Sequence, residues 1–203
     1  MYYGPDIMTK AGITISGLST DESALVLNIP LAFVNSVGSF LAVTLIDRLG
    51  RRFIILRMTP FMAVSWFIAA AGMAFTGDGR TPEQQSTGGI VAAIGVCLFL
   101  LTFSTGMSSP PWTINSEIYP LHLIGTANSL AAFTNWITNA FVSEVFKIFT
   151  GISVLSEVIV YVVLGIFAIF CFVFTYFFIP ETKGKTIEEN LVSILGKDYK
   201  KKQ

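Results

Sequence analysis

The 203-residue sequence predicts an all-α, polytopic membrane protein, and three observations lead to that fold class. Hydrophobic residues make up 53% of the chain, and its mean hydropathy is +0.68. Charged residues make up only 13%, against roughly 25% in an average soluble domain. The charges are confined between uncharged apolar runs, which cover residues 23–46, 58–77, 88–116, 126–143 and 158–180.

These runs are long enough to be membrane spans, because about 20 apolar residues in a helix cross the roughly 30 Å of hydrocarbon in a bilayer. The alternative, a soluble helical bundle, disagrees with the confinement of the charges. We therefore predict five transmembrane helices within residues 23–180, with bounds near 23–46, 53–77, 88–120, 125–149 and 157–180.

The two ends of the chain differ from these runs. Residues 1–18 are too short and too polar to cross a membrane alone and lack the parts of a signal peptide, so we interpret them as the outer end of a truncated span. Residues 181–203 form a charged tail. Most of the 13 Lys and Arg residues lie in this tail or in the turn 47–57, which places both on the cytoplasmic side by the positive-inside rule. The sequence leaves open whether the membrane is the plasma membrane or a vacuolar-type membrane.

The composition argues against several classes of function. The formal net charge of zero favours no nucleic-acid partner. Cys97 and Cys171 fall in separate predicted spans, and the single His122 has no acidic or thiol neighbour, so no metal site or disulfide is indicated. No phosphate-binding loop or nucleophile motif is found, which predicts neither an enzyme nor a cofactor. An ion channel is disfavoured because the spans offer no ring-forming acidic residue.

The third apolar run carries a break. Gly106, Pro110 and Pro111 interrupt its backbone hydrogen bonds, and each freed carbonyl costs several kcal/mol in lipid unless protein or water satisfies it. We therefore expect the break to face a cavity, with Trp112 just beyond it. Discontinuous helices of this kind form the substrate sites of secondary transporters. A proline kink that serves only packing is the alternative.

Amide side chains make two of the other runs amphipathic. Asn135 and Asn139 are four residues apart and share one helix face, while Asn28 and Asn35 lie in the first run. Amides donate and accept hydrogen bonds and indoles offer a flat apolar face, a combination that suits a neutral polyhydroxylated ligand. Hydrogen bonding between helices is the alternative role for these amides.

Five short motifs occur in a fixed order: Tyr2-Tyr3, then "DRLGRR" at 47–52, "PPWTINSEIYP" at 110–120, "NWITN" at 135–139 and "PETKG" at 180–184. Together they resemble the sugar porter family of the major facilitator superfamily, over nearly the whole chain. That family has twelve spans, and the resemblance implies a C-terminal six-helix half whose seventh span is truncated. The motif "NSEIYP" is most similar to the corresponding motif of proton-linked myo-inositol and hexose carriers.

The resemblance implies roles for three groups of residues. The substrate-binding group is Asn35, Phe103, Trp112, Asn135, Trp136 and Asn139. The outer gate is Tyr2 and Tyr3. The cytoplasmic charge cluster is Asp47, Arg48, Arg51, Arg52, Glu117 and Glu181. Ion pairs made in only one conformation would bias the equilibrium between the two states of a carrier.

The sequence departs from the family pattern at two places. The segment 121–125 reads "LHLIG" and lacks the two arginines usual in relatives, which predicts a weakened charge cluster. Ser104 stands where facilitative glucose carriers have a glutamate. The resemblance further implies that the N-terminal half, with its proton-coupling aspartate, is missing from this chain.

The resemblance thus implies a fragment of a sugar or cyclic-polyol transporter that works by alternating access, for myo-inositol or a hexose. Its expected partners are the substrate, a proton as the coupling ion in the full-length protein, the missing N-terminal half and the lipid bilayer. The alternative is a non-transporting sugar sensor, or a truncated partner subunit of a full-length carrier.

Overall fold

The computed structural model describes residues 20–77, 79–150 and 152–196, and every element within them is a helix. The predicted all-α class is therefore confirmed. The residues predicted to form the outer end of a span and the gate residues Tyr2 and Tyr3 lie outside the described part of the chain. The helices are α1 (Thr20–Leu49), α2 (Arg51–Ala74), α3 (Pro82–Gly106), α4 (Pro110–Glu117), α5 (Ile124–Thr150), α6 (Val154–Phe178) and α7 (Ile187–Leu195).

Four segments of the described chain are long and apolar enough to cross a membrane: Asn28–Leu49, Arg51–Ala74, Pro82–Glu117 and Val154–Phe178. They correspond to four of the five predicted spans. A helix, α5, also occupies the place of the one remaining predicted span, 125–149. It is not among the four segments that meet the length and hydropathy of a membrane span, so its crossing of the membrane stays a prediction.

Helix α2 lies at the centre of the bundle and packs most extensively against α3 and α6. Glycine allows the close approach of α2 and α3. A Cβ at Gly72 would lie 2.3 Å from the backbone nitrogen of Ala92, and a Cβ at Gly95 would lie 2.6 Å from that of Ala69. Small residues at such an interface let two backbones gain van der Waals contact that larger side chains would prevent.

The predicted break in the third apolar run is confirmed. Helix α3 begins at a capping box between Thr81 and Gln84, ends at Gly106, and is followed by the short helix α4 from Pro110. Gly106 has a second role that the sequence did not indicate. A Cβ there would lie 2.3 Å from the Cβ of Met58, so glycine lets α3 end directly against α2.

Helix α7 lies within the segment that the sequence analysis describes only as a charged tail. It starts at a capping box, in which Thr186 Oγ1 accepts from the Glu189 amide and Glu189 Oε2 accepts from the Thr186 amide. The sequence contains the Thr-x-x-Glu spacing of this box, and this spacing is the signal from which the start of α7 could have been predicted. Asn190 of α7 is fully buried and donates from Nδ2 to the carbonyl of Glu117, 3.3 Å away, which docks the helix on the end of α4.

Candidate functional site

The break between α3 and α4 exposes an indole. Around it, the amides of Met107 and Ser108 donate to the carbonyl of Phe103, and Ser108 Oγ donates to the carbonyl of Ser104 at 2.6 Å. The protein itself therefore satisfies two of the carbonyls of the last turn of α3, those of Phe103 and Ser104. Trp112, in the first turn of α4, is 43% exposed.

Phe103 lies on the last turn of α3 and is backed by a series of aromatic rings. Its ring centroid is 5.5 Å from that of Phe99, which lies 4.2 Å from Trp66, and Trp66 stacks on Tyr161 at 5.6 Å. The series runs from exposed Phe103 to the fully buried Tyr161 and crosses from α3 through α2 to α6. Phe103 is therefore the exposed end of a series of aromatic contacts that reaches the core of the bundle.

Helix α5 presents its amide face outward. Asn135, Trp136 and Asn139 are all exposed, and Asn139 Oδ1 accepts a 3.4 Å hydrogen bond from Ser143 of the same helix. Among the described residues, neither Asn135 nor Asn139 forms a hydrogen-bonded link to another helix. That link is made instead by Asn128 of α5, which the sequence analysis did not single out.

Helix α1 contributes the half-buried Asn35, three residues before its contact with α3. At that contact a Cβ on Gly38 would lie 2.0 Å from Ser104 Oγ, and Thr105 Oγ1 donates to the carbonyl of Gly38. Ser104 is completely buried there. This packing explains the departure noted at residue 104, because the larger glutamate side chain could not fit between helices this close.

The charged residues meet at one end of the bundle, which we call the charged end and define by Asp47, Arg51, Glu117 and Glu181. Arg51 Nη2 lies 3.3 Å from Asp47 Oδ1 and 3.1 Å from Glu117 Oε1. The second of these contacts ties the start of α2 to the end of α4. The predicted clustering of these three residues is therefore present in the fold.

Glu181 lies at the charged end, but it binds backbone amides where an ion pair with an arginine was expected. Its Oε1 accepts from the amide of Arg51 at 3.1 Å, and its Oε2 accepts from that of Phe53 at 3.3 Å. The amides of Thr182 and Lys183 also donate to Oε1. Because the first amides of a helix have no partner within the helix, a carboxylate there is well satisfied without a guanidinium.

The other two members of the predicted cluster hold different parts of the chain. Arg52 Nη2 donates to the carbonyl of Tyr176 at 2.6 Å, and its guanidinium lies 6.0 Å from the centroid of the Tyr176 ring. Arg48 takes part through its carbonyl, which accepts from Lys183 Nζ. These contacts join the turn between α1 and α2 to the end of α6 and the segment after it.

Glu117 is only partly satisfied. Its Oε1 binds Arg51, while Oε2 is buried without a hydrogen-bond partner among the described residues. His122 and Leu123 follow in the segment that lacks the arginines of relatives, and both are exposed. That the missing arginines weaken the charged end stays a prediction.

Comparison with known proteins identifies the family. A family model described as sugar (and other) transporter matches residues 1–191. The chain is 34% identical over 189 residues to membrane transporter D1 of Leishmania donovani, and it covers 33% of that protein. It is 32% identical over 189 residues to D-xylose-proton symporter-like 2 of Arabidopsis thaliana, and it covers 34% of that protein. Each match includes 93% of this chain, which thus spans about a third of the length of these relatives.

A solved structure gives the same assignment. The proton:xylose symporter XylE of the major facilitator superfamily, bound to 6-bromo-6-deoxy-D-glucose, matches with a TM-score of 0.76 and 29% identity. The match covers 95% of this chain and 38% of the XylE chain. Together with the apolar spans, these similarities show an integral multi-pass membrane protein with the major facilitator fold. The chain belongs to the sugar (and other) transporter family.

Proposed function

We propose that this chain forms the C-terminal six-helix half of a secondary-active sugar or cyclic-polyol transporter that works by alternating access. The observation that carries the proposal is the exposure of two sets of nominated side chains. One is Trp112 beyond the break in the third span, and the other is the amide face of α5 with Asn135 and Asn139. Under this proposal both sets line one wall of the substrate site.

The chemistry of these side chains determines the class of ligand. All six nominated residues are uncharged: Asn35, Phe103, Trp112, Asn135, Trp136 and Asn139. Amides can donate to and accept from hydroxyl groups, and aromatic faces pack against the C–H surface of a ring. A site of this kind favours a neutral polyhydroxylated ring such as myo-inositol or a hexose over an ion. A proton is the proposed coupling ion, and the similarity to D-xylose-proton symporter-like 2 and to the proton:xylose symporter XylE supports this choice.

The break and the charged end provide a means of alternating access. The break separates α4 from α3, and the Arg51–Glu117 pair ties α4 to α2 at the charged end. Under the proposal this end is cytoplasmic, by the positive-inside rule, in a plasma or vacuolar-type membrane. The pair stabilises the state in which this end is closed, and breaking it permits opening toward the cytoplasm.

The test is uptake by the complete gene product that contains these residues, reconstituted in liposomes. Labelled myo-inositol, glucose, galactose and xylose are supplied with and without a proton gradient. We expect saturable uptake, and a fall of at least about ten-fold in kcat/KM for Trp112→Ala and for Asn135→Ala, since each removes substrate contacts. Phe167→Ala, on the exposed surface of α6, is the matched control and should transport normally.

Each other outcome has a definite meaning. Normal uptake by both site variants at equal membrane abundance would refute the proposed site. Binding of a sugar without any uptake would favour the alternative, a non-transporting sensor or partner subunit, for which the lost arginines near His122 are the supporting observation. The 203-residue chain alone should not catalyse coupled uptake, because the nominated residues form only one wall of the site. Saturable uptake by that chain alone would contradict this expectation.

A further inference from the structure

We propose that Asn115 and Asn128 are positioning residues, whose hydrogen bond holds the short helix α4 in register with α5. Through that register the bond places Trp112 relative to Asn135. The inference rests on the proposed function, because it concerns how the proposed sugar site is assembled. It adds two residues to which neither the motifs nor the comparisons assign a role.

The bond joins two helices across a turn. Asn115 Nδ2 on α4 donates to Asn128 Oδ1 on α5, and both side chains are partly buried. The chain turns between the two helices, over residues 118–123. The bond therefore bridges the turn. Asn115 lies about half a turn before the end of α4, and Asn128 lies about one turn after the start of α5.

Helix α4 depends on contacts of this kind for its orientation. It has only 8 residues, its N-cap Ser109 makes no side-chain capping bond, and the break separates it from α3. A helix this short has little stability of its own, so its neighbours determine how it lies. On the side of α2 and α7 it is held through Glu117. On the side of α5, the Asn115–Asn128 bond is the side-chain hydrogen bond that the described residues provide.

Helix α5 is held at two points with the proposed site between them. Far from the turn, the buried Phe146 packs against Tyr161 of α6, with ring centroids 5.9 Å apart. Near the turn, Asn128 bonds to α4. The exposed Asn135 lies between these two points, so the bond at Asn128 controls one end of the segment that carries it.

The spacing connects the bond to the proposed site. Trp112 precedes Asn115 by three residues, one turn of α4, and Asn135 follows Asn128 by seven residues, two turns of α5. Each spacing keeps the two residues on the same side of their helix. Both site residues lie farther from the connecting turn than the bond does. Rotating either helix about its axis would therefore break the bond and turn a site residue away from the other.

The choice of amides suits this role. Two apolar residues could pack in several registers with nearly equal free energy, whereas a pair of partly buried amides is satisfied in only one. A single buried Asn fixes the register of coiled coils for the same reason, at a cost in stability.

The experiment is a double-mutant cycle in the reconstituted complete gene product, with variants Asn115→Ala, Asn128→Ala and both together. For each protein we would measure the KM and kcat of sugar uptake and the midpoint of thermal unfolding. We expect each single variant to raise KM by about ten-fold, with kcat changed less, and the double variant to be no worse than either single one, because both remove the same bond. Ser129→Ala, next to Asn128 and exposed, is the control and should keep the wild-type KM.

Three further variants separate positioning from simple packing. Asn128→Asp and Asn115→Asp each leave one carboxylate and one amide, and the amide can donate to the carboxylate in either case, so both variants should keep a KM nearer to the wild-type value than the alanine variants. Replacing both residues with Leu fills the space without a hydrogen bond. We expect this double variant to recover thermal stability but not the wild-type KM.

The outcomes distinguish this inference from the function on which it rests. If the unmodified protein takes up sugar saturably and the alanine variants keep its KM, the inference is wrong and the proposed function stands. If the unmodified protein neither binds nor transports any sugar tested, the proposed function fails and the inference with it. Full recovery of KM by the double Leu variant would show a packing role and would overturn the inference.

Discussion

Glu181 lies against Gly50 at the charged end of the bundle. Its carboxylate caps α2 by accepting from the amide of Arg51, the residue after Gly50, although Glu181 lies 130 residues farther along the chain than Arg51. A Cβ at Gly50 would lie 2.7 Å from Glu181 Oε2, and Gly50 adopts φ +98°, a conformation that L side chains rarely take. Glycine thus allows both the tight turn between α1 and α2 and the entry of the carboxylate that caps α2.

This relationship gives the first prediction. We expect Gly50→Ala to lower the free energy of unfolding by roughly 1–3 kcal/mol, through backbone strain and displacement of Glu181. The midpoint of thermal unfolding in detergent would measure the change. Gly125→Ala, at a helical position where nothing lies within 4 Å of the added Cβ, is the control and should be neutral or slightly stabilising. Equal midpoints for the two variants would contradict the proposed role of Gly50.

The second prediction concerns the Glu181 carboxylate itself. Glu181→Gln should destabilise the protein by about 1–3 kcal/mol, because the neutral amide offers one acceptor oxygen where two oxygens now bind four backbone amides. Glu188→Gln, on the exposed first turn of α7, should change the midpoint of unfolding little. A double-mutant cycle of Arg51→Ala and Glu181→Gln tests the alternative, an ion pair. A large coupling energy between the two substitutions would show such a pair and would contradict backbone capping.

The third prediction concerns the interface of α2 and α3. Gly72→Leu should prevent the native approach of these helices, since even a Cβ would lie 2.3 Å from the backbone of Ala92, and backbone atoms cannot move aside cheaply. We expect a large loss of folded protein, measured as the monodisperse fraction after detergent extraction. Gly125→Leu, at a helical position with no atom within 4 Å of the added Cβ, is the matched control and should keep the native yield. Normal yield of Gly72→Leu would show that the two helices can separate.

The fourth prediction concerns the ion pair between Arg51 and Glu117. Removing one partner should cost more than replacing both, because Arg51→Ala leaves a partly buried carboxylate whose Oε2 already lacks a partner. The double variant Arg51→Met with Glu117→Gln should therefore unfold at a higher temperature than Arg51→Ala. If the pair also stabilises one transport state, both variants should change the ratio of outward- to inward-facing protein, which cysteine accessibility would measure. An unchanged ratio would leave the pair a purely structural contact.

The fifth prediction concerns the docking of α7. Asn190 has no exposed surface and binds the carbonyl of Glu117, so Asn190→Ala should release α7 from the end of α4. Limited trypsin digestion would then cut faster after Lys183 and Lys185. Ser193→Ala, exposed on the same helix, should keep the native rate of digestion. Equal rates for the two variants would show that other contacts hold α7.

The sequence by itself determined the class of fold and the position of most helices. Long apolar runs need a lipid environment whatever their neighbours are, so the four apolar spans followed from composition alone. The break before Pro110 followed from the same local rule, because proline cannot donate the hydrogen bond that continues a helix. Trp112, Asn135 and Asn139 were nominated from residue type and spacing, and the fold leaves all three exposed.

The tertiary structure decided which partners the polar groups take. From the sequence, Glu181 was expected to pair with an arginine, and in the fold it caps α2 because that helix begins beside it. Asn115 and Asn128 were indistinguishable from other amides until the turn between α4 and α5 brought them together. The physical reason is that burial in lipid depends on local composition, whereas a hydrogen bond depends on the separation and direction of two atoms. The packing of the helices against one another determines both quantities, whether the helices are consecutive or distant in sequence.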